Sequence, residues 1–325
     1  MINEPMLLPT QKPSPHWPDK HAIRLKRILV PTDFSDASRE ALPYAVNFAR
    51  QFGATLTLVH VLPPLLPADP GQSGIFLEPE HRAREGSMRL ARFREDELPP
   101  DLPVAPVVLE GDTTQQITRL AEASETDLIL ISTHGYTGLK HVWLGSRAER
   151  IVRHAHCPVL VVRHQPVPLR FPESTACRFR RILVPTDFSA ASRKAMAYGA
   201  ALARPCEGQV TLLHVIEPPP YPEFGYAHIP IKEAKQKKAA RQVLDLLAQE
   251  LADPSLGDAP VIRTGNASHE ITEQARQQTA DLIVIATHGR NGLAHAVLGS
   301  TAERVVRHAP CPVLVVRARE HEFLV

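Results

Sequence analysis

The sequence predicts an α/β protein made of two tandem domains, each a doubly wound sheet of five parallel strands with helices on both faces. The chain of 325 residues repeats itself at a constant offset of 154 positions: 27–35 recurs unchanged as 181–189. Of the 37 residues in 127–163, 27 are identical in 281–317. Short apolar runs alternate with segments of helical periodicity in each repeat, and this alternation gives parallel sheets with right-handed crossovers.

Five strands are predicted in each repeat from short apolar runs, several of them apolar throughout, as in strands covered on both faces. The predicted strands are 28–30, 55–61, 104–109, 128–132 and 159–163, and in the second repeat 182–184, 209–216, 259–263, 282–286 and 313–317. Apolar residues spaced at i, i+3 and i+4 predict helices between them. In the first repeat these helices are 35–52, 80–98, 113–124 and 146–154.

Proline-rich segments separate and interrupt the repeats. Residues 1–22 contain five prolines without periodicity and are predicted to form a flexible leader, and 166–178 a linker between domains at 23–165 and 179–320. Two further segments, 62–79 and 217–230, are too rich in proline to continue a helix. They are either loops beside a ligand pocket at the carboxyl end of the sheet or neutral surface insertions.

Composition excludes several classes of protein. The net charge of +2, from 37 basic and 35 acidic residues, provides no strong positive field for nucleic acid. No apolar stretch reaches the ~18–20 residues of a membrane span. The four cysteines show neither disulfide-framework nor metal-type spacing, which favours a reducing, cytoplasmic setting.

The same short motif follows the first strand of each repeat. It consists of Pro31, Thr32, Asp33 and Ser35, and in the second repeat of Pro185, Thr186, Asp187 and Ser189. Because the serine is suited to cap the next helix, the aspartate is expected at the carboxyl edge of the sheet, beside the helix N-terminus. There it either contacts a ribose hydroxyl or a phosphate-bound Mg²⁺, or is a turn residue held by local amides.

A glycine-containing loop follows the fourth strand of each repeat. Its residues are His134, Gly135, Gly138, Gly145, Ser146 and Arg147, and in the second repeat His288, Gly289, Gly292, Gly299, Ser300 and Thr301. Glycine lets the backbone approach a ligand and permits positive φ. The Gly-Ser pair opens a helix, whose free amides and positive dipole end bind phosphate. Arg147 either adds a charge contact to that phosphate or is an exposed first-turn residue.

These motifs resemble the nucleotide-binding signature of the universal stress protein family in its tandem form, Gly-x2-Gly-x9-Gly-(Ser/Thr). The resemblance covers roughly 24–165 and 178–320, and Gly135 and Gly145 match the second and third signature glycines. It implies a Rossmann-like fold of the adenine nucleotide alpha hydrolase type and ATP, with Mg²⁺, as ligand. Adenine would contact the main chain at Val61 and Val215, the aspartates the ribose, and the glycine-serine amides the phosphates.

The resemblance also implies a role and an assembly. The role is a cytoplasmic stress-response regulator whose ligand occupancy changes its loops and its surface for an unidentified protein partner. The two halves would associate through their final strands as an internal pseudo-dimer, which covers exposed strand edges. A homodimer of the whole chain is a further expectation.

One departure from the signature occurs in both repeats, where Ser132 and Ala286 replace its first glycine. Both residues are small, and a strand-end position need not adopt positive φ, so the pocket tolerates them. If the ribose needs a close approach there, the added Cβ weakens binding. A nucleotide-free scaffold or chaperone-like interaction protein therefore remains open beside the ATP-binding regulator.

No catalytic arrangement is recognised. Neither a Gly-x-Ser-x-Gly elbow nor a complete Walker A motif with its lysine is present. The 16 histidines include no zinc-binding pattern on a helix and partly reflect the duplication. The sequence therefore predicts no dedicated enzyme and no protein-held metal, with a slow ATPase as the third alternative.

Overall fold

In the computed structural model, the described residues form a single mixed sheet of ten strands. The described ranges are 22–64, 79–132, 145–163, 179–218, 229–251, 260–287 and 298–324. The strands are β1 (Arg27–Pro31), β2 (Thr55–Leu62), β3 (Val104–Glu110), β4 (Leu128–Ser132), β5 (Val159–Val162), β6 (Arg181–Pro185), β7 (Gln209–Ile216), β8 (Val261–Thr264), β9 (Leu282–Ala286) and β10 (Val313–Val316). Their order across the sheet is β3-β2-β1-β4-β5-β10-β9-β6-β7-β8.

The strands within each repeat pair in parallel, as predicted. The two five-stranded layers are joined because β5 and β10 pair antiparallel, with Leu160 opposite Leu314. The predicted association through the final strands is therefore confirmed, and it joins the two five-stranded sheets into one. All residues of β5 and β10 are buried, so the junction is part of the core.

Helices cover both faces of the sheet. They are α1 (Asp36–Arg39), α2 (Leu42–Phe52), α3 (Pro79–Glu97), α4 (Thr113–Ala123), α5 (Ser146–His154), α6 (Ala190–Ala203), α7 (Ile229–Leu251), α8 (Ala267–Gln277) and α9 (Ser300–His308). Successive residues of a strand belong to different apolar clusters. In β1, Ile28 and Val30 belong to the cluster that contains Phe48 of α2. Leu29, between them, belongs to the cluster that contains Ile151 of α5. Each strand is thus apolar on both sides, which explains its unbroken apolar sequence.

The helix predicted at 35–52 is wrong as a single element, because it is interrupted between α1 and α2. Pro43 lies in the first turn of α2, and a proline ring inside a helix excludes the carbonyl four residues earlier and donates no N–H. The equivalent position in the second repeat is Ala197, and α6 there is continuous from Ala190 to Ala203. The sequence difference therefore accounts for the difference between the repeats.

Several sequence predictions lie outside the described residues. These are nearly all of the leader, the whole linker and most of the two proline-rich loops. Within the described ranges, no helix is long and apolar enough to cross a membrane. Cys157 and Cys311 are buried free thiols, whereas Cys206 is disulfide-bonded, which the cysteine spacing did not predict.

Candidate functional site

A cavity of about 250 Å³ lies at the carboxyl ends of β1, β2 and β4 in the first repeat. It is bounded on one side by the residues that follow β1 and on the other by the start of α5. The predicted site residues that line it are Pro31, Thr32, Asp33, Val61, Ser132, Gly145, Ser146 and Arg147. The fold therefore brings together three chain segments that the sequence singled out separately. His134, Gly135 and Gly138 lie outside the described residues.

The turn after β1 holds Asp33 from one side. Asp33 Oδ1 accepts hydrogen bonds from the Ser35 backbone N–H at 3.1 Å and from Ser35 Oγ at 2.5 Å. Ser35 in turn caps α1, because its Oγ accepts the Ser38 N–H at 3.2 Å. The capping serine is thus confirmed. The two interpretations of the aspartate are compatible, since Asp33 is held by its turn and also lines the cavity.

Phe34 adopts a left-handed backbone conformation that the sequence did not predict. Its φ is 64°, and its repeat equivalent Phe188 has φ 69°. Bulky side chains rarely occupy this region, so the conformation costs free energy that the surroundings must offset. The Phe34 N–H donates to Thr32 Oγ1 at 3.0 Å, and the Phe34 ring lies 4.3 Å from the ring of His60. The same strained turn occurs in both repeats, and in the first repeat it holds Asp33 at the cavity wall.

His60 belongs to the cavity wall and is a site residue that the predicted set omitted. Its Nδ1 lies 2.8 Å from the Thr32 carbonyl oxygen, which only accepts, so Nδ1 carries the proton. Burial, assisted by the charge of Arg89, lowers the pKa of His60 despite the opposing effect of that hydrogen bond. The imidazole is therefore neutral at pH 7, with Nε2 as an acceptor. Its position directly before Val61 in β2 was the available sequence signal.

The start of α5 supplies the other wall of the cavity. Gly145 is the N-cap residue and provides no side-chain hydrogen bond to the first amides of the helix. Uncapped N–H groups and the positive end of the helix dipole favour an anion at this point. Arg147 is exposed, lies in the first turn and also lines the cavity. This end of the cavity is electropositive, and the Asp33 end carries a carboxylate.

Of the two reasons given for glycine, positive φ does not apply to the glycines that precede α5 and α9. Gly145 and Gly299 have φ of −56° and −58°, which any residue adopts. Space is the constraint instead, because a Cβ on Gly299 would lie 2.7 Å from the Thr287 carbonyl oxygen. The Gly299 N–H donates to the same oxygen at 2.8 Å, so the backbone cannot easily move away.

Gly299→Ala is accordingly expected to destabilise the protein by about 1–3 kcal/mol, the usual cost of forcing extra volume into a packed position. Chemical denaturation of both proteins measures the difference. Gly86→Ala is the matched control, because a Cβ there meets Leu62 and Val108 at an ordinary 3.4 Å. Alanine is the better helix former, so this control should be neutral or stabilising. Equal stability of Gly299→Ala and the wild type would contradict the steric explanation.

The second repeat places its residues in the same arrangement. Ser189 donates to Asp187 Oδ1 at 3.1 Å from the backbone and 2.6 Å from Oγ, and caps α6. His214 Nδ1 lies 2.8 Å from the Thr186 carbonyl oxygen. The remaining predicted residues lie at strand ends or at the start of α9: Pro185, Val215, Ala286, Gly299, Ser300 and Thr301. His288, Gly289 and Gly292 lie outside the described residues.

Ser132 and Ala286 are ordinary strand residues. Ser132 pairs with Val162 and Ala286 with Val316, and neither has positive φ. The prediction that neither position needs the positive φ of glycine is confirmed. In the described part of the chain, no group of three or more histidine, cysteine or acidic side chains is placed to hold a metal ion.

Comparison with known proteins gives matches over nearly the whole chain. The family model described as "Universal stress protein family" matches 24–163 and 178–317. A universal stress protein of Methanocaldococcus jannaschii is 36% identical over 140 residues, 42% of this chain and 82% of its own. One from Mycobacterium tuberculosis is 25% identical over 315 residues, 89% of this chain and 94% of its own.

Solved structures show the same fold. The crystal structure of a universal stress protein from Archaeoglobus fulgidus superposes with a TM-score of 0.60 at 21% identity, over 91% of this chain and 97% of that one. A putative universal stress protein from Pseudomonas aeruginosa superposes with a TM-score of 0.61 at 21% identity, over 91% and 94%. The two-repeat architecture is therefore shared with experimentally determined proteins.

Proposed function

Because the chain belongs to the universal stress protein family, with one family domain in each repeat, we propose that it is an ATP-binding regulator of a stress response. The cavity of the first repeat carries this proposal. It combines the carboxylate of Asp33, the main chain of β2 at Val61 and the uncapped amides at the start of α5. A nucleoside triphosphate matches this set, because its phosphates seek amide donors and its ribose offers hydroxyls to a carboxylate.

The polarity of the cavity sets the orientation of the nucleotide. The electropositive helix start takes the phosphates, with Arg147 as an additional cation at the mouth. Asp33 then faces the ribose or a phosphate-bound Mg²⁺, and neutral His60 offers an acceptor beside it. The volume of about 250 Å³ is just below the ~300–1,000 Å³ usual for ligand sites, so the cavity encloses part of the nucleotide.

Regulation in this proposal follows from unequal affinity of the nucleotide for two conformations of the protein, which is the only way a ligand biases an equilibrium. The responding surface contacts a protein partner of unknown identity, and dimerisation of the whole chain belongs to the same proposal. We place the protein in the cytoplasm.

ATP with Mg²⁺ is expected to raise the melting temperature of the purified protein. At about 100 times the dissociation constant, a ligand that binds only the folded state adds about 2.7 kcal/mol, or roughly 5 °C in a chain of this size. Differential scanning fluorimetry over a range of ATP concentrations measures the rise. GTP at equal concentration is the comparison for base preference. An unchanged melting temperature at millimolar ATP would refute the proposal.

A nucleotide-free scaffold is the second candidate, and the side chains at 132 and 286 favour it. Ser132 lines the cavity and adds a Cβ and a hydroxyl where the family signature has glycine. Mass spectrometry of small molecules released from freshly purified, denatured protein separates the two functions. Stoichiometric adenine nucleotide supports the regulator. Absence of nucleotide, together with no thermal shift, supports the scaffold.

We propose no dedicated enzymatic activity. The described cavity offers amides, one carboxylate, a neutral histidine and the exposed Arg147 at its mouth. Phosphoryl transfer at useful rates requires cations positioned on the transferred phosphate together with an oriented nucleophile. Slow hydrolysis is the third candidate, and phosphate release from the same protein samples tests it. A release rate that equals buffer alone rules it out, whereas turnover lost on changing Asp33 and Asp187 establishes it.

A further inference from the structure

The two copies of the motif after the first strand have the same sequence but different surroundings. Residues 27–35 and 181–189 are identical, and Phe34 and Phe188 have nearly the same left-handed φ, 64° and 69°. This conformation costs free energy for a bulky residue, so the surrounding structure must hold it. Because the local sequence is the same, any difference in how firmly the two turns are held comes from the elements packed against them.

In the first repeat, the aromatic ring of Phe34 is enclosed by three side chains. The Arg89 guanidinium lies 4.2 Å from its centroid, the ring of Phe93 lies 5.3 Å away edge-on, and the ring of His60 lies 4.3 Å away. A guanidinium over an aromatic face is attractive. Phe34 is only 7% exposed. Arg89 and Phe93 are four residues apart in α3 and therefore lie on one face of that helix.

The carbonyl group of Phe34 is held from the same helix through an arginine. Arg39 Nη1 donates to the Phe34 carbonyl oxygen at 2.8 Å. The Arg39 side chain is itself fixed, because its Nε donates to Glu97 Oε1 at 2.7 Å and its guanidinium lies 5.1 Å from the ring centroid of Phe93. Glu97 follows Phe93 by four residues in α3. We call Arg89, Phe93 and Glu97 the α3 stripe.

The α3 stripe is not repeated in the sequence of α7. The two helices correspond at the common offset of 154 residues, because Leu90 and its equivalent Leu244 are both 0% exposed. At the three stripe positions, α7 has the aliphatic residues Val243, Leu247 and Leu251. The cation, the aromatic ring and the carboxylate that hold the first turn are therefore all replaced.

The effect of this replacement is seen at Arg193, which is the equivalent of Arg39. Arg193 Nε is buried and has no hydrogen-bond partner among the described residues, whereas Arg39 Nε donates to Glu97. Phe188 keeps its histidine contact, since its ring lies 4.3 Å from that of His214. Within the described residues, the second turn therefore has the same strain but a less complete set of charged and aromatic contacts.

We propose that the residues of the α3 stripe are positioning residues for Asp33 and make the first repeat the tighter nucleotide site. This inference rests on the proposed function. Asp33 directly precedes Phe34, so a turn held by the α3 stripe keeps the carboxylate at the cavity wall before the nucleotide binds. A site that already has its binding conformation loses less affinity to ordering. The second repeat must order its turn on binding, and its affinity is lower for that reason.

Amide hydrogen exchange of the ligand-free protein, followed by NMR, tests the positioning step without nucleotide. The amides of Phe34 and Phe188 have the same sequence neighbours, and they donate to Thr32 Oγ1 at 3.0 Å and Thr186 Oγ1 at 3.1 Å. Their intrinsic exchange rates are therefore equal, and a difference reports local opening of the turn. The Phe34 amide should exchange at least about tenfold more slowly, because cation–π and charged hydrogen-bond contacts stabilise its turn. Equal rates, or faster exchange at Phe34, overturn the proposal.

Isothermal titration calorimetry with ATP and Mg²⁺ tests the affinity step. The dissociation constants of the two sites should differ at least about tenfold, which corresponds to about 1.4 kcal/mol. Asp33→Ala should weaken the tighter site and Asp187→Ala the weaker one. Equal affinities or the reverse assignment overturn the proposal. If ATP binds neither site, the proposed function fails and the ranking of the sites fails with it, whereas unequal exchange at Phe34 and Phe188 shows separately that α3 holds the turn.

Variants that give α3 the residues of α7 test whether the α3 stripe is the cause. Arg89→Val combined with Glu97→Leu should bring the Phe34 amide and the first site to within about threefold of their equivalents in the second repeat. Arg89→Lys should have a smaller effect than Arg89→Val alone, because it keeps the cation over the ring.

Arg92→Leu is the matched control for these variants. It also takes its residue from α7, where Leu246 is the equivalent, and it removes one positive charge as Arg89→Val does. The Arg92 side chain is 84% exposed and pairs with Asp96 at 3.7 Å. The control should change neither the exchange rate of Phe34 nor the affinity of the first site. A combined Arg89→Val and Glu97→Leu variant that behaves like this control overturns the proposal.

Discussion

Replacement of both Asp33 and Asp187 by alanine is expected to remove at least half of the rise in melting temperature that ATP and Mg²⁺ produce at about 100 times the dissociation constant. Each carboxylate lies at the end of the first strand of its repeat, and Asp33 lines the cavity of the first repeat. A hydrogen bond to a charged group contributes about 1.5–3 kcal/mol, so each site should lose more than about tenfold in affinity. The ligand-induced shift of melting temperature is the quantity to compare, since the substitutions also remove the hydrogen bonds to Ser35 and Ser189.

Asp36→Ala is the control for this experiment. Asp36 lies in the first turn of α1, three residues after Asp33, and its side chain is fully exposed. The second repeat already has alanine at the equivalent position, 190. The control should therefore keep the full response to ATP. A normal response of the double aspartate variant would mean that the nucleotide, if bound, lies elsewhere.

The duplication explains why much of the fold was predictable. A segment that occurs twice with constant spacing must form the same elements twice, so weak signals in one copy are supported by the other. The starts of α5 and α9 at Ser146 and Ser300 followed directly from the Gly-Ser pairs. The joining of the two sheets did not follow from periodicity. It came only from the family resemblance, because strand periodicity does not specify a partner strand.

The missed features depend on contacts between distant residues. The left-handed conformation of Phe34 opposes its own preference and is held by Thr32 and by His60, which lies on another strand. The C-terminal tail, 318–324, likewise reaches Asp127 across 194 positions of sequence. Nothing in the spacing of 318–324 indicated a contact with the first repeat. Local patterns predicted the elements, but not these tertiary contacts.

Glu320 is expected to make the stability of the protein depend on pH. Its side chain is fully buried where the tail meets α6. Burial raises the pKa of Glu320 to about 8, although Lys194 and the Arg317 backbone N–H oppose the rise and Glu322 adds to it. In the unfolded chain a glutamate has a pKa of about 4.3, so the folded state binds more protons between these two values. The stabilising effect of the neutral carboxyl is therefore present below about pH 4 and is lost as the pH rises through 8.

Glu320→Gln should remove this dependence, because glutamine is neutral at every pH. The free energies of unfolding of the variant and the wild type should be similar near pH 4. Near pH 9 the variant should be the more stable by on the order of a few kcal/mol. Chemical denaturation at the two pH values measures both differences. Glu322→Gln is the control, since Glu322 contacts the same lysine at 2.8 Å but is 47% exposed.

The comparison with the wild type isolates Glu320 from the histidines nearby. Burial lowers the pKa of His156, so the stability that this group contributes is present above its unfolded pKa and is lost as the pH falls. The free energy of unfolding therefore rises with pH because of His156, whereas it falls with pH because of Glu320. This contribution is common to both proteins and cancels in their difference. An identical pH profile for Glu320→Gln and the wild type would show that the buried carboxyl keeps its charge through the pairing with Lys194. A difference that grows with pH would show instead that the tail is held most firmly in acid, because its central contact is a neutral carboxyl.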